Sequence, residues 1–233
     1  MDQGPIIVTG LRGRHRGRCL AARAIDRQRQ WRRLAVRGDR RRCRRLTRRY
    51  VCVVDPIDGT RAYIAGQPDW AISAALIEKD RPIAACLYAP ALDEFFAARV
   101  GAGSTLNGTV IAATPGADLR GLRIAGPQKF LERLTSILPP FTKLPRGHSL
   151  ALRLVRVAQG HCDAAFAGGN SHDWDLAAAD LLVHEAGGAI TPLTGGAIAY
   201  NRPVPRHGML VAAGRDRHAA LIGLLGDEHL ALR

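Results

Sequence analysis

All of the net positive charge of this 233-residue chain sits in one stretch of forty residues. Residues 11–50 carry 17 arginines, no lysine and two acids, Asp26 and Asp39. Residues 51–233 carry 17 Lys and Arg against 17 Asp and Glu, so the body of the chain is neutral. That division constrains the fold before any motif is considered. Leu11 to Arg49 shows no apolar stripe at the helical or the strand period, and so has no face to bury. A highly charged segment with few apolar residues cannot offset its conformational entropy by burial. The expectation is therefore a disordered, aberrant segment over 1–49 and a folded body from residue 50 onward. With 47% hydrophobic residues in the chain, that body has ample material for a core.

The same division narrows the function classes. A formal charge of +14 points first to nucleic acid or an acidic membrane surface. Confined to an Arg-only segment whose one aromatic is Trp31, it makes nucleic acid an unlikely partner. A basic nucleic-acid arm is kept as an alternative; its signature is salt-dependent binding lost with residues 1–49. The five cysteines, Cys19, Cys43, Cys52, Cys86 and Cys162, are odd in number and never spaced C-x-x-C. That argues against a disulfide framework or a zinc ribbon and points to a reducing, cytoplasmic location. Ile6 to Leu11 is too short and broken for a signal-peptide core, and no run approaches membrane-spanning length.

From Tyr50 the chain alternates between strand-like and helix-like patterns. Tyr50 to Val54, Ala71 to Glu78, Pro82 to Tyr88 and Asp93 to Arg99 read as strands, and Asn107-Gly108 is a hairpin turn. This part is expected to be a mostly antiparallel sheet. After Thr114-Pro115-Gly116 the rhythm changes. Leu122 to Ala125, Cys162 to Ala167 and Met209 to Ala213 read as strands. Pro127 to Leu138, Ser149 to Gln159, Trp174 to Ala186 and Arg215 to Leu225 read as helices, with Gly187-Gly188 as a C-cap. The pattern predicts a layered α/β fold with a metal-site domain over 50–116 and a second α/β domain over 117–233.

Two short motifs carry the chemistry. Asp55-Pro56-Ile57-Asp58-Gly59-Thr60 follows the first apolar strand. Its two carboxylates suit a hard cation such as Mg²⁺. Backbone N–H groups at the turn that follows suit phosphate oxygens. Far downstream, Asp175 falls at the start of a predicted helix, where the helix dipole favours a carboxylate. Alone it reads as a cap, with Asp173 competing for that role; paired with D-x-x-D it reads as a third metal carboxylate.

These motifs, with Trp174-Asp175-Leu-Ala-Ala-Ala-Asp180, Glu185-Ala-Gly-Gly188, Tyr88-Ala-Pro90, Asp93-Glu94 and Leu106-Asn-Gly108, resemble the inositol monophosphatase family over about Tyr50 to Gly226. The resemblance implies an αβαβα sandwich whose N-terminal helical layer is incomplete here. It implies Mg²⁺-dependent hydrolysis of a small phosphate monoester: an inositol phosphate, a related sugar phosphate or a 3′(2′),5′-bisphosphate nucleotide. It implies in-line attack by metal-activated water without a phospho-enzyme, and a homodimer as the assembly. Residue by residue, Asp55, the Ile57 carbonyl, Asp58 and Asp175 match metal ligands. Gly59 and Thr60 match the phosphate cradle, with the Thr60 hydroxyl placing the water. Ser149 matches a residue near the substrate. Asp55, Asp58 and Thr60 are the catalytic set.

The chain departs from the family in two places. The family grips a sugar hydroxyl with an acid before the Trp-Asp motif, where this chain has Gly168-Gly169. The family also has a metal-binding Glu-Glu pair upstream of the first motif, whereas this chain has no Glu before Glu78. Reduced activity is the expectation, and a non-catalytic relative is the alternative. One account joins this loss to the arginines. Back-translated and shifted by one base, Arg33 to Cys43 yields Gly-Trp-Leu-Ser-Glu-Glu-Thr-Ala-Asp-Asp-Ala. Leu11 to about Arg45 is thus read as frame-shifted sequence. Other signals weigh less. Gly101-Ala-Gly103 lacks a third glycine and reads as a turn. His161-Cys162 with His172-Asp173 matches no zinc spacing. His172 reads as a surface or substrate-facing side chain.

Overall fold

Val51 to Val54 is the most continuously apolar stretch near the start of the body, and all four residues are buried in strand β1 (Tyr50–Asp58). The structure, a computed structural model, describes residues 49–228. The expectations for the arginine segment and for the first helical layer lie outside the described residues.

β1 opens a six-stranded antiparallel meander. It continues through β2 (Ala71–Glu78), β3 (Arg81–Ala89), β4 (Glu94–Arg99), β5 (Ser104–Leu106) and β6 (Thr109–Ile111), each strand pairing with the next. Asn107 and Gly108 both have positive φ and turn the chain between β5 and β6, as the dipeptide predicts. A short helix α1 (Thr60–Ile64) follows β1.

The second sheet has the order β11-β13-β9-β7-β8. Its strands are β7 (Arg123–Ala125), β8 (Thr142–Lys143), β9 (Ala164–Ala167), β11 (Gly188–Pro192) and β13 (Leu210–Gly214). β7 runs parallel to β8 and β9, while β13 is antiparallel to β9 and β11. A two-stranded ribbon joins β10 (Ser171–His172) to β12 (Arg206–His207). The remaining helices are α2 (Gln128–Leu134), α3 (Leu150–Ala158), α4 (Asp173–Glu185) and α5 (Arg215–Glu228).

Side-chain alternation along the strands decides the layers. Val51, Val53, Ala75, Ile77, Leu87 and Phe96 point to one side of the first sheet. There they share a core with Leu152, Leu154, Leu176 and Leu182 of α3 and α4. Ala165, Ala167, Leu210 and Ala212 of the second sheet close the same core from the other side. Their alternate neighbours, Phe166, Val211 and Ala213, face Phe130, Leu134, Leu221 and Leu225 of α2 and α5. The described residues thus stack as sheet, helices, sheet, helices. These are four layers of the expected αβαβα sandwich. α4 lies between two sheets, and every residue from Leu176 to Val183 is buried. Ala177, Ala178 and Ala179 let it fit there, since a helix covered on all sides needs small or apolar residues all round. Asp180, buried in the middle of it, accepts from the Tyr200 hydroxyl at 2.9 Å and pairs with Arg81 at 3.2 Å. No described helix is long and apolar enough to cross a membrane.

The structure corrects the predicted elements in three places. Gly187 alone ends α4, with φ +83; Gly188 instead begins β11, a strand absent from the prediction. A Cβ on Gly188 would meet Val183 Cγ1 at 2.7 Å and the Ala213 carbonyl at 2.8 Å, so close helix–strand packing explains this glycine. The helix expected to reach Leu138 ends at Leu134. The hydroxyls of Thr135 and Ser136 donate to the Glu132 and Arg133 carbonyls and compete with the helical ladder. Finally, the D-x-x-D motif lies inside β1 rather than beyond its end.

Candidate active site

Residues three apart in a regular strand point to opposite faces. Asp55 and Asp58 escape that rule because the pairing of β1 with β2 slips between them: Asp55 sits opposite Ser73, and Asp58 opposite Ala71. The bulge turns both carboxylates to one side. Asp175 reaches the same place from the first turn of α4. One carboxylate oxygen from each of Asp55, Asp58 and Asp175 lies within 4.8 Å of the others.

Each acid is held by its own local donors. Asp55 Oδ1 accepts the Ile57 amide at 3.0 Å. The Thr60 hydroxyl donates to the Ile57 carbonyl, also at 3.0 Å, so these two predicted site residues fix one another. Asp58 is buried, and its Oδ2 accepts both the Ser149 hydroxyl, at 2.5 Å, and the Ala151 amide, at 2.7 Å. Ser149 Oγ in turn accepts the Leu152 amide at 3.0 Å, which makes Ser149 the N-cap of α3. Asp175 Oδ2 accepts the His172 amide at 2.7 Å, and the His172 ring stacks on Trp174 at 4.4 Å. Asp173 turns away from this group. It accepts the Asn201 amide at 2.8 Å and contacts His207 Nε2 at 2.7 Å, anchoring the 200–207 loop.

Gly59 closes the motif with φ +86, a backbone state that side chains rarely tolerate. A Cβ there would lie 2.9 Å from the Asp69 carbonyl and 3.0 Å from the Ser149 amide. The turn after Asp58 is therefore pressed against the start of α3, and only glycine permits it.

The electrostatics follow from burial and crowding. Burial first, then the neighbouring Asp58 charge, pushes the Asp55 carboxyl up to about 8. Burial pushes Asp58 to about 6, with the Ser149 and Ala151 donors holding it back. Burial also raises Asp175. One buried and two half-buried carboxyls that resist ionising together form a group that a hard cation relieves. All the converging donors are oxygens, so the residues present fit a divalent metal ion of that type.

The structure brings together Asp55, Ile57, Asp58, Gly59, Thr60, Ser149 and Asp175, the whole predicted set. Cys162 is not a metal donor; its buried thiol, pushed up to about 11 by burial, donates to the Ala164 carbonyl. Sequence reasoning missed Asp69 and Arg153, which shape the turn leading to Ser149. Asp69 in Pro68-Asp69-Trp70 carries only a generic turn signal. Arg153 sits in a helical stretch where an arginine reads as exposed.

Comparison with known proteins is consistent with this geometry. The model of the inositol monophosphatase family matches residues 35–229. Nus factor SuhB of Escherichia coli K12 is 38% identical over 153 residues, covering 62% of this chain and 57% of that protein. The inositol monophosphatase of Dictyostelium discoideum is 35% identical over 155 residues, with the same coverage, 62% and 57%. The chain thus spans less than two thirds of the curated relatives it matches. The crystal structure of the extragenic suppressor protein suhB from Bartonella henselae superposes with a TM-score of 0.64 at 30% identity. That match covers 76% of this chain and 73% of the other.

Proposed function

Because the chain belongs to the inositol monophosphatase family, we propose that its carboxylate pocket serves Mg²⁺-dependent hydrolysis of a small phosphate monoester. The observation that carries this reading is the convergence of Asp55, Asp58 and Asp175 within 4.8 Å beside a glycine turn and a helix start. Asp55, the Ile57 carbonyl, Asp58 and Asp175 would hold the metal. When bound, it supplies charge stabilisation for the phosphoryl oxygens and a more acidic attacking water. Gly59 and Thr60 offer backbone N–H groups to phosphate oxygens. The Thr60 hydroxyl orients water, and Ser149 keeps the Asp58 carboxylate in one rotamer. Without the upstream Glu-Glu pair, turnover is reduced.

The substrate class is an inositol phosphate, a related sugar phosphate or a bisphosphate nucleotide. The assembly is a homodimer, and the location is the cytoplasm. Phosphate release from inositol monophosphate with Mg²⁺, abolished by chelation and by Asp58→Asn, is the expected result. Release that Asp58→Asn leaves unchanged would sink the site assignment.

A second reading comes from the relatives named as Nus factors. On that reading the chain keeps the fold as a non-catalytic binding protein. It is favoured if Mg²⁺ stabilises the chain but no ester is turned over.

A further inference from the structure

Asp173 is an acid that the start of α4 does not need. His172 and Asp175 already form a capping box there, in which the Asp175 carboxylate accepts the His172 amide at 2.7 Å. A favourable charge on the helix dipole needs no partner and no burial. Asp173 is nevertheless 4% exposed, and a buried carboxylate is costly unless it is bonded. Its Oδ2 accepts the Asn201 amide at 2.8 Å, and its Oδ1 meets His207 Nε2 at 2.7 Å. The carboxylate can only accept, so Nε2 carries the proton and donates. Helix side chains two apart do not share a face, so Asp173 reaches the loop while Asp175 reaches the pocket.

What His207 carries explains the arrangement. It stands in β12 opposite Ser171 of β10, and its neighbour Arg206 stands opposite His172. The Asn170 amide donates to the His207 carbonyl at 3.1 Å, and the Asp173 amide to the Pro205 carbonyl at 3.3 Å. The Asp173–His207 bond therefore pins the whole ribbon to the first turn of α4. The strand pinned in this way ends at His172, whose amide sets the Asp175 carboxylate. His172 Nδ1 lies 3.5 Å from the same Asp175 oxygen, and its ring is stacked on Trp174. From the other side Ser73, the residue opposite Asp55, donates its hydroxyl to the Trp174 carbonyl at 3.3 Å. The turn that carries Asp175 is thus held between β2 and the ribbon.

A bond that merely closed the 200–207 loop would duplicate Tyr200. That residue already ties the loop down, through its hydroxyl to Asp180 at 2.9 Å and its amide to the Asp80 carbonyl at 3.0 Å. The Asp173–His207 bond acts at the opposite end, beside His172. Its side chains are 5% and 13% exposed. A charge-assisted bond sheltered in this way holds its geometry well.

We propose that Asp173 and His207 are a positioning pair for Asp175: they hold the β10–β12 ribbon so that the His172 amide fixes the carboxylate for the metal. The proposal rests on the phosphatase reading for the ion that Asp175 holds.

Affinity for Mg²⁺ alone tests the pair without turnover. Calorimetric titration is run on the full chain at a temperature where circular dichroism shows each variant folded, so a loss of stability by itself does not move the constant. His207→Ala should weaken Mg²⁺ binding about tenfold, the low end for partners that orient metal ligands. His207→Gln, which keeps an N–H donor, should restore it to within about threefold of wild type. Asp173→Glu keeps the charge and displaces the carboxylate, so it too should weaken binding about tenfold. That variant also carries the test if His207→Ala does not fold. Constants within twofold of wild type for His207→Ala and Asp173→Glu would reduce the pair to a loop fastening and overturn the proposal. So would a glutamine variant as weak as the alanine one. A wild-type chain that binds no Mg²⁺ would sink the phosphatase reading and this proposal with it, whereas wild-type binding with unmoved variants sinks this proposal alone.

Discussion

The Ser149 hydroxyl donates to Asp58 Oδ2 at 2.5 Å while accepting the Leu152 amide at 3.0 Å, so one oxygen both caps α3 and fixes a candidate metal ligand. Asp58 itself accepts the Ala151 amide from the same helix start. Metal binding and the seating of α3 are therefore mechanically joined. Ser149→Ala should remove both functions at once. Losing the cap costs about 1 kcal/mol, which for a domain of this size is about 2–4 °C in Tm. The Asp58 carboxyl should also rise further above about 6, since a donor that lowers it is gone. Thermal melts with and without Mg²⁺ check the prediction. Both the metal-free Tm and the increment on adding Mg²⁺ should fall. Loss of the first alone would mean that Ser149 is only a cap.

The pH dependence follows from Asp55. Its folded carboxyl is raised from 3.8 to about 8, mainly by burial and next by Asp58. A group raised in the folded state lends stability that is complete below its unfolded value and is lost as pH rises through the folded one. The metal-free protein should therefore lose stability progressively between about pH 4 and pH 8 through this group. Mg²⁺ should reverse that loss, with the largest increment at the alkaline end, because it binds the ionised form. Melts in chelator from pH 5 to 9 should slope downward, and Asp55→Asn should flatten the slope. A metal-free profile that rises over this window would contradict the burial and crowding assigned to Asp55.

Gly59→Ala addresses the turn. Its Cβ would sit 2.9 Å from a carbonyl and 3.0 Å from an amide, both backbone atoms that cannot swing aside. The φ of +86 adds conformational strain. The expected loss is about 1–3 kcal/mol, read as a lower midpoint in denaturant with an unchanged slope. Phosphate-analogue affinity should fall with it, because the strained turn and the start of α3 must separate.

The first motif and Asp175 were legible because their chemistry is local: carboxylates at a strand and at a helix start, each with turn residues beside it. The strands and helices around them were legible because most bury one periodic face. What escaped was set by tertiary contact. The bulge that turns Asp55 and Asp58 to one side depends on β2, not on the motif's own letters. β11 begins at a glycine that looks like a second cap residue until Val183 and Ala213 are seen against it. Arg153 has a buried role because two carbonyls of the 146–147 turn and one of β9 meet at its guanidinium, and no sequence period encodes that meeting.

The upstream Glu-Glu pair gives the last prediction. Asp55, Asp58 and Asp175 supply three carboxylates from two elements, and no Glu precedes Glu78 to supply another. If Arg33 to Cys43 arose by a one-base shift, the coding DNA contains a Glu-Glu reading frame there. Replacing these eleven residues with the shifted reading restores a carboxylate pair some 17 positions before Asp55. Loss of groups around a catalytic metal commonly lowers activity by about 10–100-fold, so the rebuilt chain should release phosphate at least ~10-fold faster. Asp58→Asn in the rebuilt chain should remove the gain, which ties the effect to the pocket rather than to better folding. A rebuilt chain that binds Mg²⁺ more tightly yet turns over no ester would favour the non-catalytic reading. DNA with no such frame would mean that the arginine run is native, and salt-dependent nucleic-acid binding by residues 1–49 would then be the next measurement.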